Sequence, residues 1–224
     1  MPEARSPRRR AIDATDIARL AVFVAIIAAL GLPGSFSVLG AVPITAQTFG
    51  IMLAGAVLGP RLSALAVVVL LALVAVGLPL LAGGRGGVGV FVGPSAGYLA
   101  GWVAGAFVTG WIVHASARKP AVWRTAVATV VGGIVVVYAF GIPVQSLVTR
   151  LSLGDTVLTS LVFLPGDLVK AVLATLTVTT LLRAYPRAFR RTWLPPRREG
   201  APLTEAPDAP APETPDAPDL DPTR

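Results

Sequence analysis

The sequence predicts an all-α integral membrane protein with six transmembrane helices and both termini in the cytoplasm. Three observations predict it. Of the 224 residues, 54% are hydrophobic and only 14% charged, and the mean hydropathy is +0.73, whereas a water-soluble chain of this length needs far more polar surface. Six apolar stretches are separated by breaks rich in Gly and Pro, and each approaches the ~20 residues that cross a hydrocarbon core of about 30 Å. The basic residues fall on alternate connections. The expected inner connections carry Arg61 and the group Arg118, Lys119 and Arg124, alongside two basic flanking segments; the expected outer ones carry Arg85, Arg150 or none.

Residues 1–16 hold Arg5, Arg8, Arg9 and Arg10 without apolar periodicity, and read as a disordered basic cytoplasmic arm. The first span is expected from Ile17 to Leu32, as a retained helix without a small-residue cleavage site behind it. The second follows Pro43, from Ile44 to Leu58, and stops at Gly59-Pro60. The third covers Leu62 to Leu81, with a Gly-rich loop from Gly83 to Gly93 behind it. Pro94 opens the fourth, which ends at His114, because proline is tolerated in a first helical turn. The fifth is expected from Val122 to Gly141. For the sixth, either the helix begins near Thr156 and kinks at Pro165, or Thr156 to Leu164 is a short outer helix and Pro165 opens the span. A mid-helix proline costs about 3 kcal/mol and an N-terminal one little, so the second arrangement is preferred, with a span to Ala184. The membrane domain is thus 17–185, followed by a basic juxtamembrane segment, 186–198. Residues 199–224 contain seven Pro and seven acids against one Arg, and read as a disordered acidic tail.

Composition excludes several functions. The chain has no cysteine and a single histidine, His114, so no disulfide scaffold, thiolate or histidine metal cluster or Ser-His-Asp site is expected. The isoelectric point near 11.0 comes from charges flanking apolar spans, which is a topology signal and not a nucleic-acid surface. Neither lysine, Lys119 nor Lys170, follows a Gly-rich phosphate loop, so no ATPase site is expected, and no catalytic residue is assigned.

The chain turns on the stretch from Pro165 to Lys170. Asp155 and Asp167 are the only carboxylates between Ile17 and Arg198. A charge in the bilayer costs roughly 3 kcal/mol or more without a partner or a wet cavity. Asp167 and Lys170 are three apart and share a helix face; they either neutralise each other or line a ligand pocket. Gly97, Gly101 and Gly105 clear one helix face for a neighbour, and Ala21, Ala25 and Ala29 form a second smooth stripe. Tyr98 is either a ligand contact or an interfacial belt residue. Gln47, within a span, either meets a ligand or bonds a neighbouring helix.

Several segments carry a resemblance. They are Pro43 to Phe49 (PITAQTF), Ala54 to Arg61 (AGAVLGPR), Gly77-Leu78-Pro79, Gly93 to Leu99 (GPSAGYL) and Phe163 to Lys170 (FLPGDLVK). Together they resemble BioY, the biotin-binding S component of energy-coupling-factor (ECF) transporters, over about residues 15 to 185. The resemblance implies a six-helix S-component fold in the bacterial plasma membrane and high-affinity capture of biotin from outside, with no cofactor. It also implies a transmembrane T-component partner and two ATP-binding subunits on other chains, with the Ala21, Ala25 and Ala29 stripe docking on the T component. The substrate-binding residues are then expected to be Asp167, Lys170, Tyr98, Gln47, Thr45 and Arg85, with the Gly83–Gly93 loop as a lid. Which end of biotin meets Asp167 and Lys170 is open in the spacing. The competing class is a stand-alone or ion-coupled secondary carrier for biotin or another small vitamin, with Asp167 as its coupling carboxylate. A membrane enzyme would need a nucleophile–base pair, which the motifs do not supply.

Overall fold

The computed structural model describes residues 13–32, 36–37, 43–115, 120–185 and 188–189. The expected basic arm up to residue 12, Arg118 and Lys119, and the acidic tail lie outside the described residues. Among those described, the chain forms eight α-helices and one small ribbon, and the helices join into six rods.

Helix α1 spans Ala14–Ala29. It opens three residues before the expected Ile17 because Asp13 caps it: the Asp13 carboxylate accepts the Asp16 backbone N–H at 2.8 Å. A two-stranded antiparallel ribbon follows, β1 (Phe36–Ser37) and β2 (Pro43–Ile44), a small addition to a chain that is all-α as expected. Ile44 is therefore in a strand, and α2 begins only at Gln47 and runs to Leu58. Gly59, at φ +80°, and Pro60 then turn the chain into α3, Pro60–Ala75, at the predicted break. At about 1.5 Å per residue α1 and α3 are ~24 Å long and α2 ~18 Å. The first three rods are thus shorter than the full spans expected. Irregular backbone at such depth is tolerated where protein covers it.

Residues 76–95 form a looping connection with a short 3-10 turn, Val88–Phe91. Helix α4 is Ala96–His114, so Pro94 lies two residues ahead of it rather than in its first turn. α4 is the central rod, touching α2, α3, α5 and α6. Its glycine face does what the spacing suggested. A Cβ on Gly101 would sit 2.9 Å from the Val137 carbonyl oxygen, and one on Gly105 would run into the Gly132 carbonyl. The helices touch backbone to backbone.

The fifth rod corrects the expected end at Gly141. It runs as α5 (Val122–Val130), a π-helical segment (Val131–Val136) and α6 (Val137–Thr149), passing through Pro143. Tertiary contacts hold α6 together beyond the proline. Gly141 lies flat on the Tyr98 ring, where any Cβ would collide, and Gln145 accepts a hydrogen bond from the Tyr98 hydroxyl. The rod ends at Arg150, the one non-glycine residue at positive φ (59°) among those described. Ser152 then caps α7, Leu153–Ser160, by accepting the Asp155 N–H at 3.1 Å. A 3-10 turn, Leu161–Phe163, leads into α8, Leu164–Ala184, with Pro165 in its first turn. Outer helix and span are separate α-helices, as preferred, with the outer one starting three residues earlier, but the 3-10 turn joins them on helical backbone into one rod, 153–184, so the structure lies between the two arrangements.

The rods 96–114, 122–149 and 153–184 are long and apolar enough to cross a membrane. Leu168, Val169, Val172, Leu173 and Leu176 stay exposed on α8, as a lipid-facing surface allows. Buried hydroxyls stitch the interior: Thr129 of α5 and Thr175 of α8 approach to 3.2 Å, and each also donates to a backbone carbonyl.

Candidate functional site

The starts of α2 and α8, the 76–95 connection, the first turns of α4 and the π segment converge on one cavity, open to solvent at its mouth. Leu81, Leu99, Trp102, Val137 and Phe163 supply apolar and aromatic wall, and polar groups interrupt it at a few places. That mixture suits a small molecule with an apolar body and polar ends.

Asp167 reaches the cavity because Pro165 starts α8 just before it, placing the carboxylate in the first turn, where the helix dipole favours an anion. Both its oxygens are bonded. Lys170 Nζ donates to Oδ1 at 2.9 Å and Tyr138 Oη donates to Oδ2 at 2.7 Å. The Lys170 and Asp167 side chains are only 16% and 8% exposed. Removing either charge would leave the other stranded in a low dielectric, a change that costs several kcal/mol. Tyr138 comes from α6, one residue past Val137 and just beyond the π segment, whose wider turn holds an extra residue.

Tyr98 is buried, not a belt residue at the lipid interface. Its hydroxyl donates to Gln145 Oε1 at 2.7 Å and lies 3.1 Å from Ser160 Oγ, and its ring meets that of Tyr138 edge-on at 6.2 Å. Tyr98 thus faces the cavity with its ring and ties α4 to α6 and α7 with its hydroxyl. Thr45 accepts the Gln47 N–H at 2.8 Å and so shapes the entry to α2. Gln47 is fully buried and spends its amide on backbone groups of other elements.

Arg85 sits in a tight turn in which it and Leu81 exchange backbone hydrogen bonds of 3.0 and 3.2 Å. Its side chain donates to the Ala82 carbonyl at 3.3 Å and reaches Ser95 Oγ at 3.5 Å. Burial pulls its pKa below the usual arginine value, but an arginine remains cationic at any physiological pH. Among the described residues no carboxylate lies within salt-bridge distance of it.

All six residues expected to bind substrate, Thr45, Gln47, Arg85, Tyr98, Asp167 and Lys170, line this cavity. Sequence reasoning missed Thr48, Trp102 and Tyr138. Thr48 is adjacent to Gln47 and was legible as part of the same motif. Its Oγ1 is buried and has no hydrogen-bond partner among the described residues, a rare state for a polar atom in a folded interior. No spacing connects Tyr138 to Asp167, 29 residues away, so only folding reveals that pair. Ala21, Ala25 and Ala29 line a different place, the exposed surface of α1.

Fold and cavity together define a helical membrane protein built around a small-molecule site. Comparison with known proteins makes this particular. The profile of the BioY family matches residues 5–187, and the chain belongs to the BioY family. It is 46% identical over 178 residues to the biotin transporter BioY of Rhizobium etli, covering 76% of this chain and 95% of that protein. Against the biotin transporter BioY of Rhodobacter capsulatus it is 44% identical over 183 residues, 78% of this chain and 96% of the other. Its fold matches the crystal structure of the S-component for biotin from an ECF-type ABC transporter with a TM-score of 0.73 at 31% identity, covering 79% of this chain and 96% of that one.

Proposed function

We propose that this chain captures biotin and carries it across the bacterial plasma membrane as the substrate-specific S component of an ECF-type transporter. The observation that carries the reading is the cavity: an apolar and aromatic wall interrupted by the Tyr138–Asp167–Lys170 cluster and by Arg85. Biotin matches that pattern, with a fused bicyclic body, two ureido N–H donors flanking a carbonyl, and a chain ending in a carboxylate. Burial of the rings and hydrocarbon chain supplies binding energy of about 25 cal/mol per Å². Family membership and the relatives named for biotin support the same substrate.

Charge sets the orientation. An ionised Asp167 accepts hydrogen bonds and repels a carboxylate, so the ureido end belongs beside it, with Lys170 donating to the ureido oxygen. The biotin carboxylate belongs to Arg85, a half-buried guanidinium that no carboxylate among the described residues pairs. Thr48 Oγ1 takes whichever polar atom passes it. The energy for release inward comes from a T component and two ATP-binding subunits on separate chains, the exposed Ala21, Ala25 and Ala29 stripe being the docking surface. Both termini face the cytoplasm, with 17–185 as the membrane domain between a basic arm and the juxtamembrane and acidic segments.

Binding of radiolabelled biotin to the purified protein, competed by other vitamins, tests the substrate. Saturable binding displaced by unlabelled biotin alone is expected; no binding, or equal displacement by unrelated vitamins, would overturn it. In proteoliposomes uptake should need the ATP-binding subunits and ATP. Uptake by the lone chain driven by an ion gradient would replace this reading with an ion-coupled carrier.

A further inference from the structure

We infer that Gln47 acts as a positioning residue that holds Arg85 in the cavity, and not as a ligand contact. The inference rests on the reading that Arg85 meets the carboxylate of biotin.

The amide of Gln47 is already committed. Its Oε1 accepts the Ala82 N–H at 3.0 Å, and its Nε2 donates to the carbonyls of Leu80 at 2.9 Å and Ile27 at 3.2 Å. Carbonyls on one side and an N–H on the other fix which way the amide points. Both donors are used, so Gln47 has no N–H left to offer a ligand. The three partners lie in α1 and in the connection after α3, so this one side chain, itself at the start of α2, fastens three elements.

Ala82 is the link to Arg85. Gln47 grips its N–H, and Arg85 Nε grips its carbonyl at 3.3 Å. The turn between them closes on backbone hydrogen bonds, two exchanged by Leu81 and Arg85 and one from the Gly84 N–H to the Leu81 carbonyl, and none of these fixes where the turn sits against α1 and α2. Gly83 and Gly84 stand at φ +76° and +70°, and glycines have no side chains to pack and the most backbone freedom to lose. The Gln47 clasp on Ala82 adds an anchor from outside the turn. The fit around the clasp is tight on its α1 side also: a Cβ on Gly31 would lie 2.9 Å from the Leu80 carbonyl oxygen and 3.0 Å from Gln47 Nε2. Without the clasp the Leu81–Arg85 turn samples more conformers, and the guanidinium spends less time where a carboxylate would find it.

The test is a double-mutant cycle of Gln47→Leu and Arg85→Met, reading affinity for biotin and for uncharged biotin amide. Arg85→Met should weaken biotin roughly tenfold or more and leave the amide unchanged. Gln47→Leu should reproduce that selectivity, and the double variant should bind biotin no worse than Arg85→Met alone. Parental binding of the amide also certifies that each variant is folded. If Gln47→Leu expresses poorly, Gln47→Asn, which shortens the clasp by one carbon, is judged by the same criterion. Equal loss of biotin and amide in the Gln47 variant, or fully additive losses, would overturn the inference alone. An Arg85→Met variant that does not discriminate between the two ligands would remove the carboxylate reading, and the inference with it.

Discussion

Asp167 concentrates the chemistry of this chain in one side chain. In water its pairing with Lys170 would contribute little. Nine-tenths buried, and bonded also by Tyr138, it is held in one geometry at high cost if broken. This decides how it should be mutated. Asp167→Asn alone strands Lys170 and confounds folding with binding. The double variant Asp167→Asn with Lys170→Met leaves no lone charge, so it should stay monodisperse in detergent while its affinity for biotin falls. Each lost charge-assisted hydrogen bond is worth about 1.5–3 kcal/mol, roughly ten- to a hundredfold. A well-folded double variant with parental affinity would take Asp167 out of the site. Thr48 gives the opposite case. Its hydroxyl has no partner among the described residues, so Thr48→Val, which keeps the shape, should leave the melting temperature unchanged or slightly raised. If a biotin atom satisfies the hydroxyl, affinity should drop by about 1 kcal/mol, some fivefold; titration calorimetry of the two proteins decides it.

Among the elements, α4 and α1 carry small-residue stripes of opposite fate. The stripe on α4 is buried against the π segment and α6, where Gly105 meets the Gly132 carbonyl. Backbone cannot step aside as a flexible side chain does, so Gly105→Ala should destabilise the protein by about 1–3 kcal/mol, seen as a lower melting temperature in detergent. The stripe on α1 is exposed. Ala25→Trp there should leave biotin affinity near parental and weaken co-purification with the T component. Loss of biotin binding with assembly intact would show instead that α1 acts on the cavity. The two stripes look alike in sequence, four-residue repeats of Gly or Ala, because a small residue records that something comes close without recording what.

At the scale of the whole molecule, the proposed topology has all six rods crossing, which returns the chain to the side on which it began, and the arginine bias is the ground for proposing that this side is the cytoplasm. Accessibility tags at residues 2 and 224 should both react from the cytoplasmic face, and one beside Gly86, in the connection that carries Arg85, from outside. Tags 2 and 224 on opposite faces would break the six-rod topology. Membrane residence, the number of rods, the breaks at Gly59-Pro60 and Pro165, and six of the residues that line the cavity were legible in the sequence. These follow from apolar length, from proline and glycine stereochemistry, and from the cost of placing Asp167 and Lys170 in lipid, all local quantities a one-dimensional reading can sum. Only the tertiary structure decided that α6 continues through Pro143, that α2 starts late behind a ribbon, that Tyr138 holds Asp167, and that Gln47 faces backbone. The ribbon pairs residues six and eight apart, and the others depend on partners 20 or more residues distant in the chain. A hydrogen bond across such a distance leaves no spacing in the sequence from which to read it.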